Sequence, residues 1–313
     1  MKYILSLIFL LFVTTHTVAQ QSFEIPHNYS NQFLNNPAAT GVWEKLDISA
    51  FYSKTFTNVD KAPTILFGAV QYALPKQNAA FGVSINSETA SLLSNTSVLG
   101  TFAYKLKGIA NRNDFISLGI GLRVSSINFS GSDAIVSQLG EPNLGGDESG
   151  FGINFSAGAF YSSSSAEIEY RGSDDFIYQG GLSVSKIGQK TNFQNVNSFV
   201  DEYVINGFVS TIFAQHADFV VQSYAEAIYG SNSSLNVIGG VRTTLNNTVI
   251  IGGSLDANLA LGIEFGFSLK STNKSNVSSA IINFNIPFND IAEYVNPGVG
   301  LSLRHLIDLS TGW

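Results

Sequence analysis

The sequence predicts an all-β chain: a single transmembrane outer-membrane β-barrel of about fourteen antiparallel strands, with a short N-terminal periplasmic or plug segment. Three observations predict it. The last fifteen residues, Val299 to Trp313, alternate apolar and polar side chains and finish on an aromatic. Comparable period-2 runs recur from Leu46 onward, each about the nine to eleven residues of a tilted transmembrane strand. Composition is also unusual, with 12% charged residues, 12% aromatic residues, 29 Gly and no Cys. A soluble domain averages about 25% charged residues. The mean hydropathy of +0.16 is too low for a helical membrane protein. It suits a barrel, where only alternate side chains face lipid.

Residues 1–19 read as a signal peptide. Lys2 gives the positive start, Ile4 to Val13 an apolar run, and Thr17 and Ala19 the small residues of a cleavage site. That run is too short to span a bilayer. No Cys follows, so a lipoprotein anchor is not expected. Residues 20–45 are not strand-like and form an N-terminal segment carrying an Asn-Pro-Ala turn, Asn36-Pro37-Ala38. Residues 46–313 are expected to be the transmembrane barrel.

The strands are expected near 46–53, 64–74, 79–87, 96–106, 115–127, 151–162, 176–187, 203–213, 218–229, 235–244, 248–256, 259–270, 279–287 and 299–313. In 115–127, Ile116, Leu118, Ile120, Leu122 and Val124 alternate with Ser117, Gly119, Gly121, Arg123 and Ser125. Successive side chains of a strand point to opposite faces, so one set faces lipid and the other the lumen. An even strand count puts both chain ends on the periplasmic side. Short turns at 75–78, 214–217 and 245–247 fall there, and the long segments 128–150 and 188–202 face outward. The segment 163–175 is an exception, periplasmic but not short. In the last strand Leu301, Leu303, Ile307, Leu309 and Trp313 form the apolar face of the closing strand. Lumen positions are mostly Ser, Gly and Asn. Such small side chains cannot fill a barrel of this width, so water, folded loops, the N-terminal segment or a partner's chain must occupy it.

The segment Gln32-Phe33-Leu34-Asn35-Asn36-Pro37-Ala38-Ala39-Thr40-Gly41 resembles the start of the PorP/SprF family, where an Asn-Pro-Ala-x-x-Gly element follows a short polar-aromatic stretch. Further matches follow in order: Ala62-Pro63-Thr64 before the second strand, Phe81-Gly82-Val83-Ser84-Ile85, Thr101-Phe102-Ala103-Tyr104-Lys105-Leu106, and Leu118-Gly119-Ile120-Gly121-Leu122. The likeness is good over residues 30–127 and general thereafter. The ending Arg304-His305-Leu306-Ile307 departs from the family's usual close. The motif positions are Asn36, Pro37, Ala38, Gly41, Ala62 and Pro63. The resemblance implies an outer-membrane component of type IX protein secretion and gliding motility. It also implies a secreted adhesin C-terminal domain, other type IX secretion components and outer-membrane lipid as partners.

Other chemistry finds little support. Three His follow the signal peptide, His27, His216 and His305, and none sits in a recognisable catalytic constellation. No phosphate-cradling Gly-x-x-x-x-Gly-Lys and no His-Glu-x-x-His occurs. An enzyme is not expected, and no cofactor. Glu141, Asp147 and Glu148 share the longest outward segment, and Asp174-Asp175 form a second acidic pair. Clustered carboxylates can bind Ca²⁺, but a solvated polar loop is the preferred reading, so no metal site is expected. Arg123, Lys105, Glu88 and Glu264 are expected to face the lumen, pairing across water or lining a route for a chain. The formal net charge of −7 argues against nucleic acid. A rival reading is an outer-membrane channel for small hydrophobic solutes, like fatty-acid transporters, which share an Asn-Pro-Ala element and a plug but carry a longer N-terminal hatch.

Overall fold

The computed structural model describes residues 28–109, 114–133, 147–164, 175–193, 203–215, 219–231, 235–257, 260–271, 276–288 and 294–308. Fourteen strands close on themselves as an antiparallel barrel. They are β1 (Leu46–Lys54), β2 (Thr64–Leu74), β3 (Ala79–Ala90), β4 (Leu93–Lys107), β5 (Phe115–Phe129), β6 (Glu148–Ser162) and β7 (Asp175–Phe193). The second half comprises β8 (Val204–Gln215), β9 (Phe219–Gly230), β10 (Leu235–Leu245), β11 (Val249–Asp256), β12 (Ala260–Lys270), β13 (Val277–Pro287) and β14 (Gly298–Ile307). Each strand pairs with its sequence neighbours. β1 and β14 close the ring, from Leu46 opposite Ile307 to Lys54 opposite Val299. Closure removes the unpaired edges that a hydrocarbon environment would penalise.

The alternation of the sequence becomes an inside and an outside. Along β2, Ile65, Phe67, Ala69, Gln71 and Ala73 are buried toward the lumen, while Leu66, Val70 and Tyr72 are exposed on the opposite face. Ile120 on β5 and Leu182 on β7 are 63% and 67% exposed, as the outward apolar band of a membrane barrel requires. Aromatic rings gather on the outer face near the end that carries both termini. Tyr72 stands opposite Phe81, Phe81 lies 5.1 Å from Phe102, and Phe176 lies 4.7 Å from Phe213. Such girdles sit at the interface between headgroups and hydrocarbon.

The strands run past their expected ends on the side away from the termini. β3 and β4 extend through Glu88–Ala90 and Leu93–Asn95 and meet at a two-residue link, with Ser91 in a left-handed conformation (φ 55°). These extensions are rich in Ser, Thr and Asn, so they carry no lipid-facing apolar signal. β7 reaches Phe193, with register shifts against β6 beside Lys186 (φ 58°), a β-bulge that bends the strand. β14 is described to Ile307; Leu309 and Trp313 lie outside the described residues, as do the signal peptide, His27, Glu141, Asp174 and His216.

Candidate functional site

Residues ahead of β1 turn back into the barrel and cross its lumen. A kinked 3-10 segment, Asn28–Leu34, leads to a second 3-10 turn, Pro37–Ala39. Asn36 organises that turn. Its side chain accepts from the Ala38 amide at 3.0 Å, which caps the turn, and Pro37 follows at the first helical position, where a missing N–H costs nothing. The Asn36 Nδ2 then donates outward to the carbonyls of Ala159 on β6 (3.1 Å) and Leu182 on β7 (3.4 Å). One side chain therefore both shapes the turn and fastens it to the wall.

The wall is cut away to receive it. A Cβ on Gly119 of β5 would collide with the backbone of Pro37 and Ala38, and a Cβ on Gly158 of β6 with Asn36 Oδ1. Gly119 and Gly158 are cross-strand partners, and together they make a flat seat that Gly181 of β7, where a Cβ would meet Asn36 Nδ2, extends. Ala38, Ala39 and Val42 pack beside it against Phe115, Phe160 and Phe208. Higher in the barrel, Phe33 and Leu34 pack with Phe51, Ile65, Phe67 and Leu99.

Polar contacts complete the docking. Thr40 Oγ1 lies 2.8 Å from Thr101 Oγ1 on β4. Gly41, with φ +66° and Ala80 against its α-carbon, donates its amide to Gln71 at 2.9 Å. Its carbonyl accepts from Lys105 Nζ at 2.6 Å. Asn35 Nδ2 donates to Glu226 of β9 at 2.8 Å, and Arg123 donates to the Leu34 carbonyl at 3.2 Å. Glu44 draws the ammonium groups of Lys107 (2.8 Å) and Lys105 (3.6 Å). At the base, Asp47 on β1 binds Arg304 on β14 through two contacts of 3.0 and 2.6 Å and also accepts from Gln71. Trp43 lies under the Arg304 guanidinium, 5.0 Å from its ring centre.

The lumen-facing charges are divided between the plug and one another, and Arg123 and Glu88 attract each other. Lys105 reaches the plug and Arg123 a plug carbonyl, while Glu264 binds Arg242 at 2.8 and 2.5 Å. Of the motif positions, Asn36, Pro37, Ala38 and Gly41 converge in the docked turn. Ala62 and Pro63 lie at the opposite rim, where the Pro63 carbonyl accepts from Thr55. Leu301 and Leu303 face lipid, Ile307 follows on the same parity, and His305 meets Ser278 across β13–β14 at 2.8 Å. Asp147 is exposed and accepts from the Ser132 amide and hydroxyl. These two donors hold its carboxyl below the usual carboxylate range. No group of three or more His, Cys, Asp or Glu suited to a metal occurs among the described residues. Trp43, Asp47, Glu226 and the paired seat glycines escape sequence reading, because Gly at a lumen position looks the same whether it seats a plug or faces water.

The barrel is similar to the toluene transporter TodX of Pseudomonas putida, with 9% identity, TM-score 0.51, and 91% and 93% of the two chains covered. It is equally similar to the monoaromatic hydrocarbon channel CymD, with 10% identity, TM-score 0.51, and 91% and 94% covered. At such identities the likeness is one of fold. No curated protein sequence matches this chain. The family model for the type IX secretion system membrane protein PorP/SprF matches residues 17–294. That match takes in the whole plug and every strand but the closing one, so the chain belongs to the PorP/SprF family of type IX secretion system membrane proteins and resides in the outer membrane.

Proposed function

We propose that this barrel helps export a partner adhesin and anchors it at the cell surface by receiving its C-terminal domain, in concert with other type IX secretion components. Residues 1–19 would direct export and be removed, leaving 20–45 to dock and 46–313 to form the barrel. The carrying observation is family membership over residues 17–294. The docked plug supports it: a barrel that holds its own segment across the lumen by Asn36, Thr40 and Asn35 serves as a binding platform rather than a wide pore. No role as an enzyme is proposed, since family and fold are of non-enzymatic kinds. The test is deletion of the gene followed by antibody detection of surface adhesins on intact cells. Loss of one large adhesin and of gliding supports the reading. Normal display and normal motility refute it.

A second reading is a channel for small hydrophobic solutes. The apolar lumen wall of Phe51, Ile65, Phe67 and Leu99 favours it, but passage would require the plug to leave its glycine seat. Uptake of a labelled fatty acid or of toluene that falls on deletion, with adhesin display intact, would select it.

A further inference from the structure

The plug fastens mainly to β1–β7 and leaves a cavity of about 100 Å³ against β8–β14. This cavity lies at the end that carries both termini, where Asn247 of the β10–β11 turn and Lys270 at the end of β12 line it. Its arginines, Arg242 and Arg304, are held by Glu264 and Asp47, so charge does not select what enters.

Aliphatic surface does. Ile212, Ile250, Val277, Ile281 and Leu306 break the Ser, Gly and Asn pattern of the lumen and line the cavity. In the opposite half the apolar lumen residues Phe51, Ile65, Phe67 and Leu99 are covered by Phe33 and Leu34 of the plug. Of the described plug residues, Asn31 and Trp43 are those that line the cavity, and neither is aliphatic. Apolar side chains at a wet mouth favour an apolar cover.

The chain carries such a cover close by. Asn31 accepts from Ser49 Oγ at 3.1 Å and so stands beside β1 at the cavity wall. Asn28, where the described chain begins, is three residues earlier and thus within about 11 Å of Asn31. The residues before it read Phe23-Glu24-Ile25-Pro26-His27. Pro26 favours an extended residue before it, and in an extended stretch Phe23 and Ile25 share one face. Ile25 is six residues from Asn31, a reach of about 20 Å. An engineered cavity of about 150 Å³ holds benzene, so a space of about 100 Å³ suits an aliphatic side chain better than an aromatic ring.

We propose that residues 20–27 complete the plug, seating Ile25 in this cavity against Ile250, Ile281 and Leu306, with Phe23 across its periplasmic mouth. The segment closes the side of the lumen that the Asn-Pro-Ala turn leaves uncovered. The inference rests on the reading that residues 1–19 are removed, which N-terminal sequencing of the purified protein checks separately.

The experiment uses a single reporter thiol. Ser279 of β13 lines the cavity and the chain has no Cys, so Ser279→Cys reports access to a water-soluble maleimide. It is placed in the otherwise unaltered protein, in a variant lacking residues 22–27 with the cleavage site kept, and in Ile25→Asn and Ile25→Leu. Heat-modifiable gel mobility verifies that each detergent-solubilised barrel is folded. The unaltered protein should label slowly. Burial of one isoleucine is strong enough that the deletion and Ile25→Asn should each speed labelling about tenfold or more, while Ile25→Leu should stay slow. Fast labelling of the folded unaltered protein, or a rate that the deletion leaves unchanged, would overturn the proposal. So would protection seen in native outer membranes and lost on purification, which would assign the cavity to a partner. Protection of the deletion variant's thiol by octanoate with none from residues 20–27 would assign it to a solute and overturn the proposal as well.

Discussion

Replacing Asn36 by alanine should free the plug while leaving the barrel closed. The side chain is 2% exposed and makes three hydrogen bonds, one from the Ala38 amide and two to the carbonyls of Ala159 and Leu182. Losing a capping side chain costs about 1 kcal/mol. Each donated bond contributes about 0.5–1.5 kcal/mol net. The docked state should therefore weaken by roughly 2–4 kcal/mol, an increase of about 30- to 900-fold in the undocked population. Native-state hydrogen exchange reads this directly. The amides of Ala39, Thr40, Gly41 and Val42 bond to Asn36, Pro37, Gln71 and Ala39, so they exchange only when the turn opens. Their exchange should accelerate by that factor, while strand amides such as those of Leu118 and Ile120 stay unchanged. Unaltered plug exchange would refute the role given to Asn36. Equal acceleration of plug and strand amides would refute the separation of plug from barrel.

Gly119→Val places side-chain atoms where the Pro37–Ala38 backbone lies. It should expose the plug to added protease while the barrel keeps its heat-modifiable mobility. Asp47→Ala leaves the partly buried Arg304 guanidinium without its carboxylate partner. Urea unfolding should show a loss of about 3–5 kcal/mol, and Arg304→Ala added to it should recover part of that loss in a double-mutant cycle. Ile120→Arg puts a charge on the lipid face at mid-strand and should cost about 2–4 kcal/mol in the same assay, whereas Ser126→Arg, farther out along β5, should cost less. The tether from Ser132 to Asp147 depends on the ionised carboxyl, whose pKa lies below the usual value in the fold. The bond is therefore fully present above about pH 4 and is lost only as pH falls through the lower folded value. NMR titration of the Ser132 amide should follow that order.

The barrel was legible because lipid imposes a rule that few soluble folds obey. Alternation in stretches such as Ile116–Val124 marks both a strand and its outward face, and fourteen strands arise in the expected sequence positions. Ends facing water were harder to read. At Glu88–Asn95 no apolar pattern survives, yet β3 and β4 continue there through backbone pairing alone. The Asn-Pro-Ala element was legible as a turn, and its neighbours Ala39 to Gly41 as part of one motif. Its position was not, since the contacts that hold it come from Gly119, Gly158 and Leu182, far away in sequence. The same limit hid the Asp47–Arg304 clasp, whose members are 257 residues apart and meet only because the ring closes. The lumen charges showed their parity in the sequence but not their partners. Parity follows from period 2, whereas partners depend on which strands the plug touches.

At the centre of the plug's architecture, the Asn-Pro-Ala turn resides inside the barrel. Thr40 and Thr101 bring their hydroxyl oxygens to 2.8 Å, a spacing suited to a disulfide once both are cysteine, and the chain has no other Cys. Mild oxidation of the Thr40→Cys/Thr101→Cys protein in native outer membranes should cross-link the pair almost completely, with the barrel still folded. Two free thiols that react quickly with a water-soluble maleimide in a folded barrel would contradict it.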